Sequence, residues 1–325
     1  MAAAGGRPHV SLASEYRNAQ AVYVDATRVV REIMQDARLG RQVDAARAEP
    51  TLEQITQSII RSCDALISLT RIKTKDEYTF QHCVAVGVLE TAFARALGLD
   101  DETVRVAGMG GLLHDIGKIL VPDEILNKPG PLTEEEYEDM KHHVARGRAV
   151  LETAAHIHSI SVEVAYQHHE RMDGSGYPRG LHGPDISLLS KMVAICDVYD
   201  ALTSDRVYRK AMPAHEALRH LFEWSAHHFD RDLVQQFVRL IGIYPAGTHV
   251  LLRSRRIALV VEQSEEILLK PVVRVFWDAA RNRPLQPFVV DLSDAKPNGG
   301  VDEIQSAVDL SDWPIPAELV SLVSF

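Results

Sequence analysis

The segment LLHDIGK at residues 112–118 brings an imidazole and a carboxylate side by side at the end of an apolar helix. That helix is predicted from about Asp101 to His114. A histidine and an aspartate at a helix end can bind one divalent cation, and the carboxylate can bridge to a second. The alternative interpretation is a surface histidine beside an exposed aspartate, because motifs this short recur by chance.

Four further helices each carry a histidine or an aspartate. These residues are His82, His143, His168, His169 and Asp197, in helices predicted over residues 79–97, 133–152, 160–170 and 188–203. A lone histidine on an apolar face is usually a satisfied core residue, but helical bundles build metal sites from side chains on facing helices. Imidazoles and carboxylates without thiolates favour iron, manganese, nickel or zinc in an open catalytic site.

A long amphipathic helix precedes this bundle, because apolar residues recur at helical spacing from Ser14 to about Gly40. The helix packs on its own domain or, as the alternative, pairs two copies of the chain as a coiled coil. Pro50 breaks the chain after it. Thr51 with Gln54 then predicts a capping box for the next helix.

The pattern changes at YPAG, residues 244–247. Beyond it, β-branched runs separated by turn residues indicate strands at 249–252, 257–262, 272–277 and 288–292. The sequence therefore predicts a mainly α protein, a helical bundle with a long N-terminal helix and a small β-rich C-terminal appendage. The predicted divisions are a disordered tail (1–13), a helical lead-in (14–50), a catalytic domain (51–243) and a β-rich domain (244–325).

The composition excludes several classes of function. The net charge of -10 argues against a nucleic-acid polymer as a partner, because such a partner needs a basic surface. No apolar run approaches the roughly 18 residues that a membrane span needs, and the first residues lack an export signal. The 3 cysteines are scattered without a CxxC pair, which fits reduced thiols. We therefore expect a cytoplasmic protein without a membrane span.

A glycine-rich segment, ERMDGSGYP at residues 170–178, directly follows the paired histidines His168 and His169. Two glycines and a proline this close together indicate a rigid, non-helical segment. The segment is either a plain connector or a loop that holds the ring and hydroxyl of Tyr177 over the predicted metal site.

Taken together, these motifs resemble those of the HD-GYP phosphodiesterases, bacterial helical proteins related to the wider HD phosphohydrolases. The resemblance covers about residues 50–240, and it is specific because several motifs agree in order and spacing. The matching pieces are His82, HDIGK at 114–118, His143 with Gly147, HHE at 168–170, DGSGYP at 173–178 and DVYDALTSDR at 197–206.

The resemblance implies an HD-type helical bundle that hydrolyses cyclic di-GMP to pGpG, to GMP or to both, by attack of a metal-bridging hydroxide. It implies two divalent transition metals bridged by Asp115, iron or manganese first, with nickel, cobalt and zinc as alternatives. The implied metal ligands are His82, His114, Asp115, His143, His168, His169 and Asp197. Asp115 and Lys118 are implied in catalysis, and the implied nucleotide contacts are Lys118, Tyr177, Arg206 and Arg209.

The chain departs from the family pattern at two positions. Val207 stands where a proline usually follows the arginine, and Ala85 stands where many members have Arg or Asn. Some members hold a third metal with a glutamate four residues before the first ligand histidine, but that position is Tyr78 here, with Glu77 about 100° around the helix. We therefore expect two metals.

Two other functions stay open. The first is an HD hydrolase for another cyclic dinucleotide or nucleotide, and the second is a catalytically weak cyclic di-GMP sensor or adaptor. The complete ligand set favours catalysis. Cyclic di-GMP is the predicted ligand, and the further expected partners are signalling proteins and a second copy of the chain bound through the N-terminal helix.

Overall fold

The computed structural model describes residues 12–71, 73–74, 77–205, 210–264, 267–294 and 302–323. Its helices are α1 (Leu12–Arg38), α2 (Glu49–Arg61), α3 (Cys63–Thr70), α4 (Tyr78–Ala96), α5 (Asp101–Leu113), α6 (Asp123–Leu126), α7 (Glu134–Lys141), α8 (His143–Glu152), α9 (Ser159–Gln167), α10 (Leu188–Thr203), α11 (Ala214–Trp224), α12 (Arg231–Ile241) and α13 (Ala317–Val323). Its strands are β1 (His249–Leu252), β2 (Arg256–Glu262), β3 (Val272–Asp278), β4 (Arg283–Asp291) and β5 (Ile304–Ala307). The predicted fold class, a mainly α bundle with a small β-rich appendage, is confirmed.

Of the predicted disordered tail, residues 1–11 lie outside the described residues, and Leu12 and Ala13 begin α1. Among the described helices, none combines the length and the apolar character that a membrane crossing requires.

The apolar stripe of α1 packs on α2, α3 and α4 of the same chain. Along it Ala19, Ala26 and Ile33 are buried. The Tyr23 hydroxyl donates to the Gln81 carbonyl oxygen at 2.9 Å, which ties α1 to α4. The stripe therefore serves the chain's own core, as the first interpretation predicts.

The start of α2 differs from the prediction. The helix begins at Glu49, so Pro50 lies in its first turn instead of before it, and Ala48 makes no side-chain cap. Proline fits a first turn because the N–H that it lacks would have no helical acceptor at that position. Thr51 is buried inside the helix, so the predicted capping box of Thr51 and Gln54 is wrong.

Helices α4 and α5 form the centre of the bundle and cross at glycines. A Cβ on Gly111 would lie 2.9 Å from the Gly87 Cα, and one on Gly87 would lie 2.6 Å from Leu112 Cδ2. This close approach brings the start of α4, with His82, near the end of α5, with His114. The apolar surface of α4 extends all round, as expected of a helix buried on every side.

The helix predicted over residues 133–152 is in fact two helices that meet at His142. Thr133 and Glu136 form the predicted capping box of α7, which buries no side chain, while α8 buries His143 at its first position. A Cβ on Gly117 would collide with the backbone of His143 and Gly147, so the 3₁₀ turn after α5 packs directly on α8. This packing sets the direction of α8, and the exposed α7 does not share it.

The C-terminal strands form one antiparallel sheet in the order β4-β3-β2-β1-β5. β1, β2 and β3 lie within about one residue of the predicted runs, but β4 begins five positions before the predicted 288 and β5 was not predicted. Pro284 and Pro287 obscure the strand pattern of β4, and prolines are tolerated there because β4 is an edge strand. The Gln263 N–H donates to Asp64 Oδ2 at 3.0 Å and so joins the sheet to α3.

Candidate metal centre

The predicted ligands converge in the middle of the bundle as two groups that share one carboxylate. In each group, one ligand atom per residue lies within 4.8 Å of all the others. The groups are Asp115, His143, His168 and His169, and His82, His114 and Asp115. Asp115, in the segment just after α5, is therefore common to both.

The two oxygens of Asp115 face different histidines. Oδ1 lies 3.3 Å from His143 Nε2 and 3.6 Å from His168 Nε2. Oδ2 lies 3.5 Å from His82 Nε2 and 3.3 Å from His114 Nε2. The carboxyl group is fully buried. This division of the oxygens is the arrangement that a carboxylate needs to bridge two cations.

Asp197 of α10 lies beside both groups. Its Oδ1 is 3.1 Å from His82 Nε2, and its Oδ2 is 3.9 Å from His169 Nδ1. A carboxylate in the apolar run of α10 therefore reaches the same cluster that the other helices supply.

The backbone fixes the ring orientation of three histidines. His114, His143 and His168 each donate from Nδ1 to the carbonyl oxygen three residues earlier, at 2.8, 2.7 and 2.9 Å. A carbonyl can only accept, so the proton must lie on Nδ1 and the Nε2 lone pair faces the cluster. Nitrogen lone pairs directed inward from helix ends are what a divalent cation binds.

The protonation states also suit a cation. Burial lowers the pKa of His168 to about 4, and burial together with the neighbouring histidines holds the pKa of His169 well below its usual range. Burial alone would raise the pKa of Asp115, but the charge of Lys118, together with the surrounding imidazoles, outweighs burial and holds that pKa well below the usual range. Near neutral pH the two imidazoles are neutral and the carboxylate is ionised, which are the forms that bind metal.

Several buried polar atoms of the cluster have no hydrogen-bond partner within the described part of the chain. They are His82 Nε2, His114 Nε2 and Asp115 Oδ1. Unpaired buried polar atoms are costly and are rare in folded proteins. Divalent cations on the two sides of Asp115 would satisfy all three atoms, so the residues present fit such ions.

Behind His82 lies a second layer that sequence reasoning missed. Asp200 Oδ2 accepts a hydrogen bond from His82 Nδ1 at 2.7 Å. Lys73 Nζ contacts Asp200 Oδ1 at 2.5 Å and donates to Ser204 Oγ at 2.7 Å. Asp200 is one helical turn beyond Asp197 on the same face of α10, and that i, i+3 spacing was the available signal. Its carboxylate holds the proton of His82 on Nδ1, so Nε2 faces the cluster.

The predicted nucleotide contacts fall into two sets. Lys118 Nζ pairs with Asp115 Oδ2, and the Tyr177 ring lies 4.7 Å from the His169 ring, measured between centroids. Arg206 and Arg209, like Val207, lie outside the described residues.

The loop over the cluster is held by Glu170, whose carboxylate accepts from the backbone N–H groups of Arg179 and Leu181 at 2.8 and 2.9 Å. Ala85 is buried in α4 and brings no polar group.

The fold and this cluster define a helical hydrolase of the HD class, whose members are metal-dependent. The chain belongs to the HD domain family, since the family model described as an HD domain matches residues 54–233. The family resemblance stated above is thereby confirmed.

Individual relatives agree with this assignment. A Pseudomonas aeruginosa protein named cyclic di-GMP phosphodiesterase is 45% identical over 311 residues, which are 95% of this chain and 74% of that protein. A Vibrio cholerae protein named 3'3'-cGAMP-specific phosphodiesterase 1 is 41% identical over 178 residues, 54% of this chain and 41% of that protein. A solved HD-G"Y"P protein from Bdellovibrio bacteriovorus shares the fold with a TM-score of 0.55 and 19% identity, covering 67% of this chain and 70% of that one.

Proposed function

We propose that this protein hydrolyses cyclic di-GMP to pGpG, to GMP or to both at a binuclear metal centre. The observation that carries the proposal is the Asp115 carboxylate, whose two oxygens face two groups of histidines in the core. The name of the Pseudomonas aeruginosa relative, which is similar over 95% of this chain, supports the substrate.

The proposed ligands divide between the two ions as the geometry divides them. One ion would be held by His82, His114 and Asp115, and the other by Asp115, His143, His168 and His169. Asp197 is close enough to serve either ion. Nitrogen and carboxylate donors without a thiolate suit iron or manganese first, with nickel, cobalt and zinc as alternatives.

When bound, paired divalent ions supply the Lewis acidity that activates water and neutralises charge on the scissile phosphate. The protein contributes the positions and charges around them. Lys118 lies beside Asp115 with part of its side chain exposed, so its ammonium can hold a non-bridging phosphate oxygen. The Tyr177 ring covers His169 and limits the access of bulk water to that side of the cluster.

The helical segment 51–243 is the proposed catalytic domain, because it carries the whole cluster. The segment 244–325 is proposed to be regulatory or structural.

A second substrate has a specific observation in its favour. The Vibrio cholerae relative is named as specific for 3'3'-cGAMP, and the chain spans less than half the length of that protein. Turnover of cyclic di-GMP and 3'3'-cGAMP by the metal-loaded protein, at matched concentrations and followed by chromatography, tests the proposal. We expect faster hydrolysis of cyclic di-GMP, and a preference for 3'3'-cGAMP would replace the proposed substrate.

We expect two metal ions per chain. Glu77, which adjoins in sequence the position that some family members use for a third metal, pairs with Arg31 of α1. Tyr78 stacks on His82 with ring centroids 6.0 Å apart, so that position is occupied by a phenol. Anomalous diffraction at the metal absorption edge should give two peaks near Asp115. A third peak, coordinated by Glu77 or Asp76, would contradict this expectation.

The second layer gives a sharper test. Asp200→Asn should lower metal affinity roughly 10- to 100-fold, because an amide no longer holds the Nδ1 proton of His82 with a charge. Competition against a chelator of known affinity measures this loss. Asp185→Asn, which makes the same change at an exposed position, should leave the affinity unchanged. Equal affinities for wild type and Asp200→Asn would show that the second layer does not support the metal.

We also expect signalling proteins and a second copy of the chain as partners. The apolar stripe of α1 is used within the chain, so a dimer through α1 would have to pair its outer face, where Val24 and Leu39 are exposed. Light scattering of the purified protein measures its molar mass in solution and so tests for the dimer directly.

A further inference from the structure

An exposed helix next to the cluster presents a cation and an aromatic ring to the Tyr177 loop. Lys141 Nζ lies 5.4 Å from the centroid of the Tyr137 ring and 5.7 Å from the centroid of the Tyr177 ring. The Tyr177 ring in turn lies 4.7 Å from the ring of His169. These contacts run from the surface of α7 to the candidate metal centre. We call Tyr137, Lys141 and Tyr177 the α7 rim.

The needs of the fold do not explain this rim. Helix α7 buries none of its side chains, and Tyr137 is 50% exposed. The i, i+4 spacing on one helix accounts for the contact of Lys141 with Tyr137. It does not account for the contact with Tyr177, which lies on a different element. Lys141 also pairs with Glu138 of its own helix, but its ammonium still faces both phenol rings.

A second cation, Arg171, lies near the α7 rim. The Arg171 guanidinium packs over the Phe229 ring at 5.0 Å, and its hydrogen bond among the described residues goes to the Glu170 carbonyl oxygen at 3.5 Å. Burial lowers the pKa of Arg171, and Asp197, Tyr177 and Tyr137 are among the groups near enough to act on it. Lys141 and Arg171 therefore place two cations beside the aromatic rings of the α7 rim, although the chain as a whole carries a charge of -10.

That combination matches the chemistry of a nucleotide. Phenol rings stack on bases, and an ammonium pairs with a phosphate. A cyclic dinucleotide has two of each, and when one phosphate lies at the metals the other nucleotide has to lie outside them. We infer that Tyr137 and Lys141 hold the base and the phosphate of the nucleotide that is not being cleaved. This inference rests on the proposed function and assigns it two specificity-determining residues on α7.

The test measures binding separately from turnover. Bis(p-nitrophenyl) phosphate, a diester without bases, reports the metal centre, and cyclic di-GMP is added as its competitive inhibitor. Tyr137→Leu and Lys141→Met should each raise the inhibition constant of cyclic di-GMP roughly 5- to 100-fold, because each removes one stacking or charge contact. Metal content and hydrolysis of the small diester should stay at wild-type values. Lys141→Arg, which keeps the charge, should bind nearly as wild type.

Salt and a matched variant distinguish recognition from a structural role. Salt weakens the attraction between exposed charges, so the inhibition constant should rise with salt in wild type and rise less in Lys141→Met. Tyr166→Leu is the matched control, because its ring also lies under cations, Arg148 at 4.6 Å and Arg179 at 5.6 Å, but on α9 outside the α7 rim. For this control variant, the inhibition constant of cyclic di-GMP and the hydrolysis of the small diester should both match wild type.

The outcomes separate the inference from the proposed function. If cyclic di-GMP inhibits wild type without being hydrolysed, and the α7 variants raise the inhibition constant, the inference stands and the proposed function fails. Unchanged inhibition constants in both Tyr137→Leu and Lys141→Met would overturn the inference alone. A parallel loss of small-diester hydrolysis or of metal would also overturn it, because the residues would then support the centre itself. If cyclic di-GMP does not inhibit wild type at all, both fail.

Discussion

Asp115→Ala is expected to lower hydrolysis of cyclic di-GMP by roughly a thousandfold or more and to remove most of the bound metal. The reason is the position of its two oxygens. Oδ1 faces His143 and Oδ2 faces His114, each at 3.3 Å, so one substitution removes a ligand from both proposed ions. Elemental analysis of the purified variant and chromatography of the products measure the two losses.

The fold of this variant should persist. The lost carboxylate removes one interaction of Lys118, but that ammonium is partly exposed and can be solvated. Far-ultraviolet circular dichroism should therefore show wild-type helicity. Asp185→Ala, an aspartate exposed on the surface, is the control and should keep both metal and activity. Turnover by Asp115→Ala close to that of wild type would exclude this aspartate as the bridge.

His82→Ala and His143→Ala should separate the two proposed ions. His82 Nε2 lies 3.5 Å from Asp115 Oδ2, and His143 Nε2 lies 3.3 Å from Asp115 Oδ1, so each histidine serves one side of the carboxylate. Each variant should lose hydrolysis by about a hundredfold or more, because both ions are needed at one phosphate. Each should nevertheless keep close to one metal per chain.

The matched control for His143 is its neighbour. His142 is exposed and also bonds through Nδ1 to a backbone carbonyl, at 2.8 Å, yet it lies outside both groups. His142→Ala should keep two metals and full activity. If His82→Ala and His143→Ala each retained two metals, the division of ligands between two ions would be wrong.

The sequence pattern predicts most of the helices of the bundle and most of the residues of the cluster. His114 and Asp115 close an apolar run, and His168 follows the last turn of another, so periodicity alone places them at helix ends. Their convergence is not visible in periodicity. It depends on how the helices pack against one another, as in the contact of Gly87 in α4 with Gly111 in α5.

Other features could not be predicted for physical reasons. No glycine or proline lies beside His142 to mark a helix end, so the break there depends on the tertiary packing of Gly147 on Gly117. Lys73 lies in an irregular segment without periodicity, so its pairing with Asp200 leaves no pattern in the sequence. Only Ile304 among the four residues of β5 is β-branched, so the strand signal is too weak to be recognised without the neighbouring β1.

The central claim, that the Asp115 cluster is a metal centre that hydrolyses cyclic di-GMP, is tested most directly by one turnover measurement. Purified protein is incubated with cyclic di-GMP as isolated, after removal of metal by a chelator, and after manganese or iron has been added back, and the products are separated by chromatography. We predict linear pGpG, GMP or both from the first sample, none from the second and restored product from the third. Intact cyclic di-GMP after prolonged incubation with protein that holds two metals per chain would contradict the account.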